Sequence, residues 1–145
     1  MTIHIMSRNN AIKYSQEQHS EITAFISISD CDKDSPMLEN NPNNGIKARC
    51  KLKFDDVERG QNNCITEADA LKIVTFVAQN VKIANKLIVH CEAGVSRSAG
   101  VAAAIMKAIY DDDRPVFNSR KYVPNMTCYR MVLNAFYGEG LLETR

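Results

Sequence analysis

The chain has 145 residues, 45% of them hydrophobic and 24% charged, which is enough to bury one core and too little for two ordinary domains. A net charge of +1 supplies no field to draw in nucleic acid or an anionic membrane surface, and no apolar run approaches the roughly 20 residues of a membrane-spanning helix. Because the opening MTIHIMSRNN also lacks the basic start and long apolar stretch of a signal peptide, the expectation is one cytoplasmic domain over residues 1–145, with no nucleic-acid or membrane partner.

Ile3 to Met6 is a short apolar stretch suited to an opening strand, and a short helix is expected over Ala11 to Gln18. Glu21 to Ser29, EITAFISIS, reads as a buried strand. From Asp30 to Gly45 the chain turns polar, with Pro36, Pro42 and asparagines at 40, 41, 43 and 44, which is loop composition. Lys47 to Phe54 returns to alternation, with Leu52 and Phe54 on one face, and delivers Asp55 and Asp56 into a loop. Thr66 and Asp69 approximate a capping box before a helix over Glu67 to Asn80. Lys86 to His90 is a β-branched strand and Ser98 to Tyr110 an Ala-rich helix, stopped by Asp111-Asp112-Asp113-Arg114-Pro115. A last helix is expected over Met126 to Tyr137. Alternating strands and helices predict an α/β domain with a mostly parallel central sheet flanked by helices, its ligand site at the carboxyl ends of the strands.

Cys91 stands at such an end, between the strand and the helix. Unpaired backbone N–H groups at a helix N-terminus favour anions, whether thiolate or phosphate. Between Cys91 and Arg97 lie Glu92, Ala93, Gly94, Val95 and Ser96, with no proline to delete a donor. Gly94 permits the positive φ that turns successive amides inward into an anion-binding nest, and Arg97 can close the ring with a two-pronged donor. Helix N-terminus and Arg97 together favour the thiolate of Cys91.

His90-Cys91-x5-Arg97-Ser98 resembles the signature of cysteine-dependent protein tyrosine phosphatases with short, dual-specificity-like catalytic domains. LKFDDVE at Leu52 to Glu58 is similar to the segment that supplies the general acid in that family. Val123-Pro124-Asn125 followed by CYRMVL resembles the stretch entering its last helix, so the likeness spans about Lys47 to Tyr137. The resemblance implies hydrolysis of a phosphorylated protein or small phosphomonoester through a phosphocysteine. In that scheme Cys91 attacks, and Arg97 with the amides of Glu92 to Arg97 holds the phosphate. Asp56 protonates the leaving oxygen and then activates water, and no metal or other cofactor is needed. It places the acid at Asp56, with Asp55 the alternative; strand alternation sets Asp55 on the side of Lys51 and Lys53 as a solvated partner for those charges. It also implies a hydrogen bond from Ser98 to the Cys91 sulfur, although a serine there is equally suited to cap the helix. Asn125 resembles a residue that braces the phosphate loop, or is a turn residue after Pro124.

By alternation the His90 side chain points away from Cys91 and orders the loop rather than acting as a base. Arg120, Lys121 and Arg130 are candidates to recognise substrate. Cys31, Cys50, Cys64 and Cys128 have no metal-binding or disulfide spacing and read as reduced, inert thiols. The competing functions are an idle phosphate-binding module, the same chemistry on a phosphoinositide or an RNA 5′-phosphate, and sulfur transfer or arsenate reduction; the absence of lysine from the loop and the presence of Glu92 disfavour an inositol headgroup.

Overall fold

The β-branched and aromatic runs form four strands, β1 (Thr2–Met6), β2 (Thr23–Ser29), β3 (Ile46–Lys53) and β4 (Lys86–His90), in a computed structural model that describes residues 1–39 and 44–138. They join one sheet in the order β1-β4-β2-β3, and every pairing is parallel. The predicted α/β class with a parallel sheet is therefore the one observed. β2 is buried along its whole length, as its unbroken apolar and small residues require of a strand covered on both faces. Residues 40–43, in the middle of the expected 30–45 loop, lie outside the described residues.

The helices are α1 (Arg8–Ser15), α2 (Glu67–Asn80), α3 (Arg97–Tyr110), α4 (Arg114–Phe117) and α5 (Met126–Gly138). On one face of the sheet Ala11 and Tyr14 of α1 pack on Phe25 and Ile88. On the other, α2, α3 and α5 cover a core that includes Ile26, Ile28, Phe54, Leu87 and Val89. Full burial of each such side chain contributes about 1.5–3 kcal/mol. The capping box of α2 is formed in both directions, Thr66 Oγ1 accepting from the Asp69 amide and Asp69 Oδ2 from the Thr66 amide.

Three boundaries differ from the sequence reading by more than fraying. α1 begins at Arg8 rather than Ala11 and ends at Ser15, because Ser7 Oγ caps it by accepting from the Asn10 amide at 3.1 Å. The strand expected from Glu21 starts at Thr23. Residues 111–115 do more than stop a helix: Asp111 takes a left-handed φ of 53°, and Pro115 in the first turn starts the one-turn α4.

Strand order decides where the site can form. β4 lies between β1 and β2, so Cys91 leaves the sheet flanked by Met6–Ser7 after β1 and Asp30 after β2, with Phe54 to Asp56 after β3 one strand further on. The small residues of α3 let α5 approach closely. A Cβ at Gly100 would stand 2.3 Å from the Asn125 carbonyl oxygen. Gly100→Ala is accordingly expected to cost about 2–3 kcal/mol in urea denaturation, as overpacking against a backbone that cannot yield.

Candidate active site

Residues 91–96 form an irregular turn between β4 and α3, three of whose carbonyls are held by amides from other segments. Glu92 O accepts from the Arg8 amide at 3.0 Å, Val95 O from Val123 at 3.0 Å, and Ser96 O from Asn125 at 2.9 Å. Gly94 makes the inversion possible with φ of 71°, and a Cβ there would meet the Met6 carbonyl carbon and the Ser7 nitrogen at 2.6 Å. With the carbonyls anchored outside, no amide from Glu92 to Ser96 donates to an acceptor among the described residues. A row of unbonded backbone donors of this kind is suited to hold an anion.

Cys91 is 3% exposed at the base of this turn, with its Sγ 3.1 Å from Ser98 Oγ. Ser98 does not cap α3. That position belongs to Ser96, whose hydroxyl is turned instead to Asp56 Oδ1 at 2.8 Å, and Ser98 lies one residue inside the helix. Arg97 is also nearly buried. Its Nη1 donates to Phe54 O at 2.7 Å and forms an ion pair with Asp30 Oδ1 at 2.8 Å, which leaves the Nε and Nη2 edge of the guanidinium without an acceptor among the described residues. A planar fork held by one nitrogen presents its other edge in a fixed direction, the geometry that bidentate phosphate binding needs.

The two candidate acids separate cleanly. Asp55 accepts from the Cys31 amide at 2.9 Å and from Asn63 Nδ2 at 3.0 Å, and these bonds hold its carboxyl below the usual range. It is not the partner expected for Lys51 and Lys53: Lys53 pairs with Asp34, and the turn after β3 rotates Asp55 into its own loop. Asp56 faces the phosphate turn. Its Oδ1 accepts from Ser96 Oγ and from Asn125 Nδ2 at 2.9 Å, while Oδ2 has no protein partner among the described residues.

Asn125 does more than follow Pro124 in a turn. Its amide side chain also donates to Val57 O at 3.1 Å, and its Oδ1 accepts from the Cys128 amide at 3.0 Å, so that it caps α5 while joining the Asp56 loop to the phosphate turn. Arg130 lines an open cleft of about 880 Å³ with Asp56, Arg59, Ser96, Asn125 and Thr127. Arg120 and Lys121 are not among its lining residues. Among the described residues no group of three or more His, Cys, Asp or Glu could hold a metal, and no helix is long and apolar enough to cross a membrane.

His90 points to the opposite face of β4 from the Cys91 turn and is fully buried. Its Nε2 lies 2.6 Å from Ser27 Oγ, which also accepts from Arg49 Nε at 3.0 Å. The arrangement that pairs every group has Ser27 donating to Nε2, leaving the ring proton on Nδ1, 3.5 Å from Cys91 O. Burial, reinforced by the charges of Arg49 and Arg8, pushes His90 from 6.5 down to about 4. Asp30 is the site residue that sequence reasoning passed over. Its signal was a carboxylate immediately after a strand at the carboxyl edge of the sheet.

Sequence comparison identifies residues 61–130, just under half of the chain, with the Rit1 DUSP-like domain of the Init_tRNA_PT family; the matched stretch contains Cys91 to Ser98 and stops short of Asp56. No curated protein sequence matches the chain. Among solved structures, the human tyrosine phosphatase-like serine/threonine/tyrosine-interacting protein is 19% identical with a TM-score of 0.65, covering 97% of this chain and 93% of its own. Human DUSP28 is 16% identical with a TM-score of 0.65, over 95% and 93%. PTPMT1, solved in complex with PI(5)P, is 15% identical with a TM-score of 0.57, over 94% and 91%.

The pH dependence of stability follows from His90. Its neutral form is required in the fold, so its contribution is complete above pH 6.5 and is lost as pH falls towards 4, where the folded protein also takes up the proton; the loss over that window is about 3 kcal/mol. Denaturant titrations at pH 7 and pH 4.5 should show His90→Asn losing less stability on acidification than the native chain. The chain shares the fold of these dual-specificity-phosphatase-like structures.

Proposed function

We propose that the chain, acting as one catalytic domain, is a phosphomonoester hydrolase of phosphoproteins that works through a phosphocysteine. The observation that carries this reading is the turn at 91–96, which runs from Cys91 to Arg97 with no amide from Glu92 to Ser96 bonded among the described residues and with the Nε and Nη2 edge of Arg97 likewise unbonded. Cys91 attacks phosphorus in line with the leaving oxygen. The amides of Glu92 to Arg97 and the Arg97 fork carry the charge of the equatorial oxygens. Asp56, across the cleft mouth, gives its proton to the leaving oxygen and then takes one from the attacking water. Ser98, 3.1 Å from the sulfur, stabilises it as it departs in the second step.

The cleft beside Asp56 is open and no aromatic ring among the described residues lines it, which supports turnover of phosphoserine and phosphothreonine as well as phosphotyrosine. A second reading keeps the chemistry and changes the substrate to a non-protein phosphate. It draws on Arg59 and Arg130 in that cleft, on Lys33, which neutralises Glu92 at 3.5 Å, and on the likeness to a protein solved with a phosphoinositide.

Hydrolysis of p-nitrophenyl phosphate, measured between about pH 5 and 8 in EDTA, should be abolished by Cys91→Ser and cut by roughly 10²–10⁴ by Asp56→Asn. Phosphopeptides and a phosphoinositide tested in parallel assign the substrate class. A native chain that binds phosphate without turnover would replace the enzyme with a phosphate-binding module.

A further inference from the structure

The loop that carries Asp56 is held at two points by the start of α5. On one side Asn125 Nδ2 donates to Val57 O as well as to Asp56 itself. On the other, Thr127 Oγ1 accepts from the Arg59 amide at 3.0 Å, 68 residues away in sequence. Thr127 is 8% exposed and lies between the cap residue of α5 and Cys128, whose thiol is fully buried against α3. It is therefore on a rigid element, whereas the loop it holds has exposed residues on either side of Val57 and a Gly60 with φ of 88°. A loop with that freedom does not keep a carboxylate in one place unless something fixes its backbone.

We propose that Thr127 is a positioning residue for the general acid, which by binding the Arg59 amide keeps the Asp56 loop against the phosphate turn, with Oδ2 of Asp56 as the oxygen that carries the proton. The assignment of the oxygen follows from the partners. Oδ1 accepts two hydrogen bonds, from Ser96 and Asn125, which occupy it as an acceptor, while Oδ2 accepts none among the described residues and Asp56 lines the cleft. If Asp56 is the acid, as the phosphatase reading has it, misplacing the loop impairs protonation of the leaving group and leaves the nucleophile and phosphate nest intact.

That separation is measurable, since an activated leaving group needs its proton less than a poor one does. Native chain, Thr127→Val and Thr127→Ser are compared on phenyl phosphate and on p-nitrophenyl phosphate. Valine keeps the shape and removes the acceptor; serine keeps the acceptor. For Thr127→Val, kcat/KM, which reports transfer to the nucleophile and not the later hydrolysis, should fall roughly tenfold or more on phenyl phosphate and by a clearly smaller factor on p-nitrophenyl phosphate, and Thr127→Ser should recover most of the loss. In an Asp56→Asn background the valine substitution should have no further selective effect. Equal loss on both substrates, or selective loss that persists without Asp56, overturns the positioning role while leaving the phosphatase reading in place. A native chain inactive on both substrates overturns the two together.

Discussion

The site depends on turning a short stretch of backbone inside out. Six residues between a strand and a helix would ordinarily satisfy their own carbonyls and amides. Here three carbonyls are drawn outward by amides from elsewhere, Arg8 at the start of α1 and Val123 and Asn125 before α5. Each of those donors is supplied by a segment that sheet order and helix packing bring to the carboxyl edge. Unpaired amides are costly when buried, so the turn keeps this form only because its carbonyls are held from outside and its unbonded amides are left to a ligand or solvent. The same constraint explains Gly94, where a side chain would strike the backbone of Met6 and Ser7.

Much of this architecture was legible in the sequence because its signals are local. The limits of α2 and β4 agree with the reading to the residue, since a capping box and a β-branched run each mark a boundary by themselves. α1 was displaced because the cap at Ser7 outweighed the weak apolar periodicity of RNNAIKYS. The one-turn α4 was hidden by acidic and proline residues that read equally well as a helix stop. Strand order is a long-range property, and nothing in the chain announces that the fourth strand inserts between the first and second.

The site shows the same division. The spacing of Cys91 and Arg97 and the glycine between them follow from local geometry. Separating Asp56 from Asp55 required the turn after β3, which sends one carboxylate to the Cys31 amide and the other to Ser96. The anchors of the carbonyls, the Asp30 contact that steers Arg97, and the clasp of α5 on the acid loop join residues far apart in sequence and become visible only when the chain is folded. Asn125 is where these threads meet, since one side chain touches the acid loop and caps a helix while its amide holds the phosphate turn.

Direct detection of the covalent intermediate tests the central claim. With Asp56 serving both half-reactions, as proposed, a leaving group activated enough to depart without its proton should load the Asp56→Asn variant faster than water can clear it. Rapid acid quench of that variant with such an ester, followed by intact-protein and peptide mass spectrometry, should show one added phosphoryl group on Cys91 and none when Cys91 is also changed to serine. Turnover in the native chain with no phosphoryl group on Cys91, or with the group on another residue, would contradict the account.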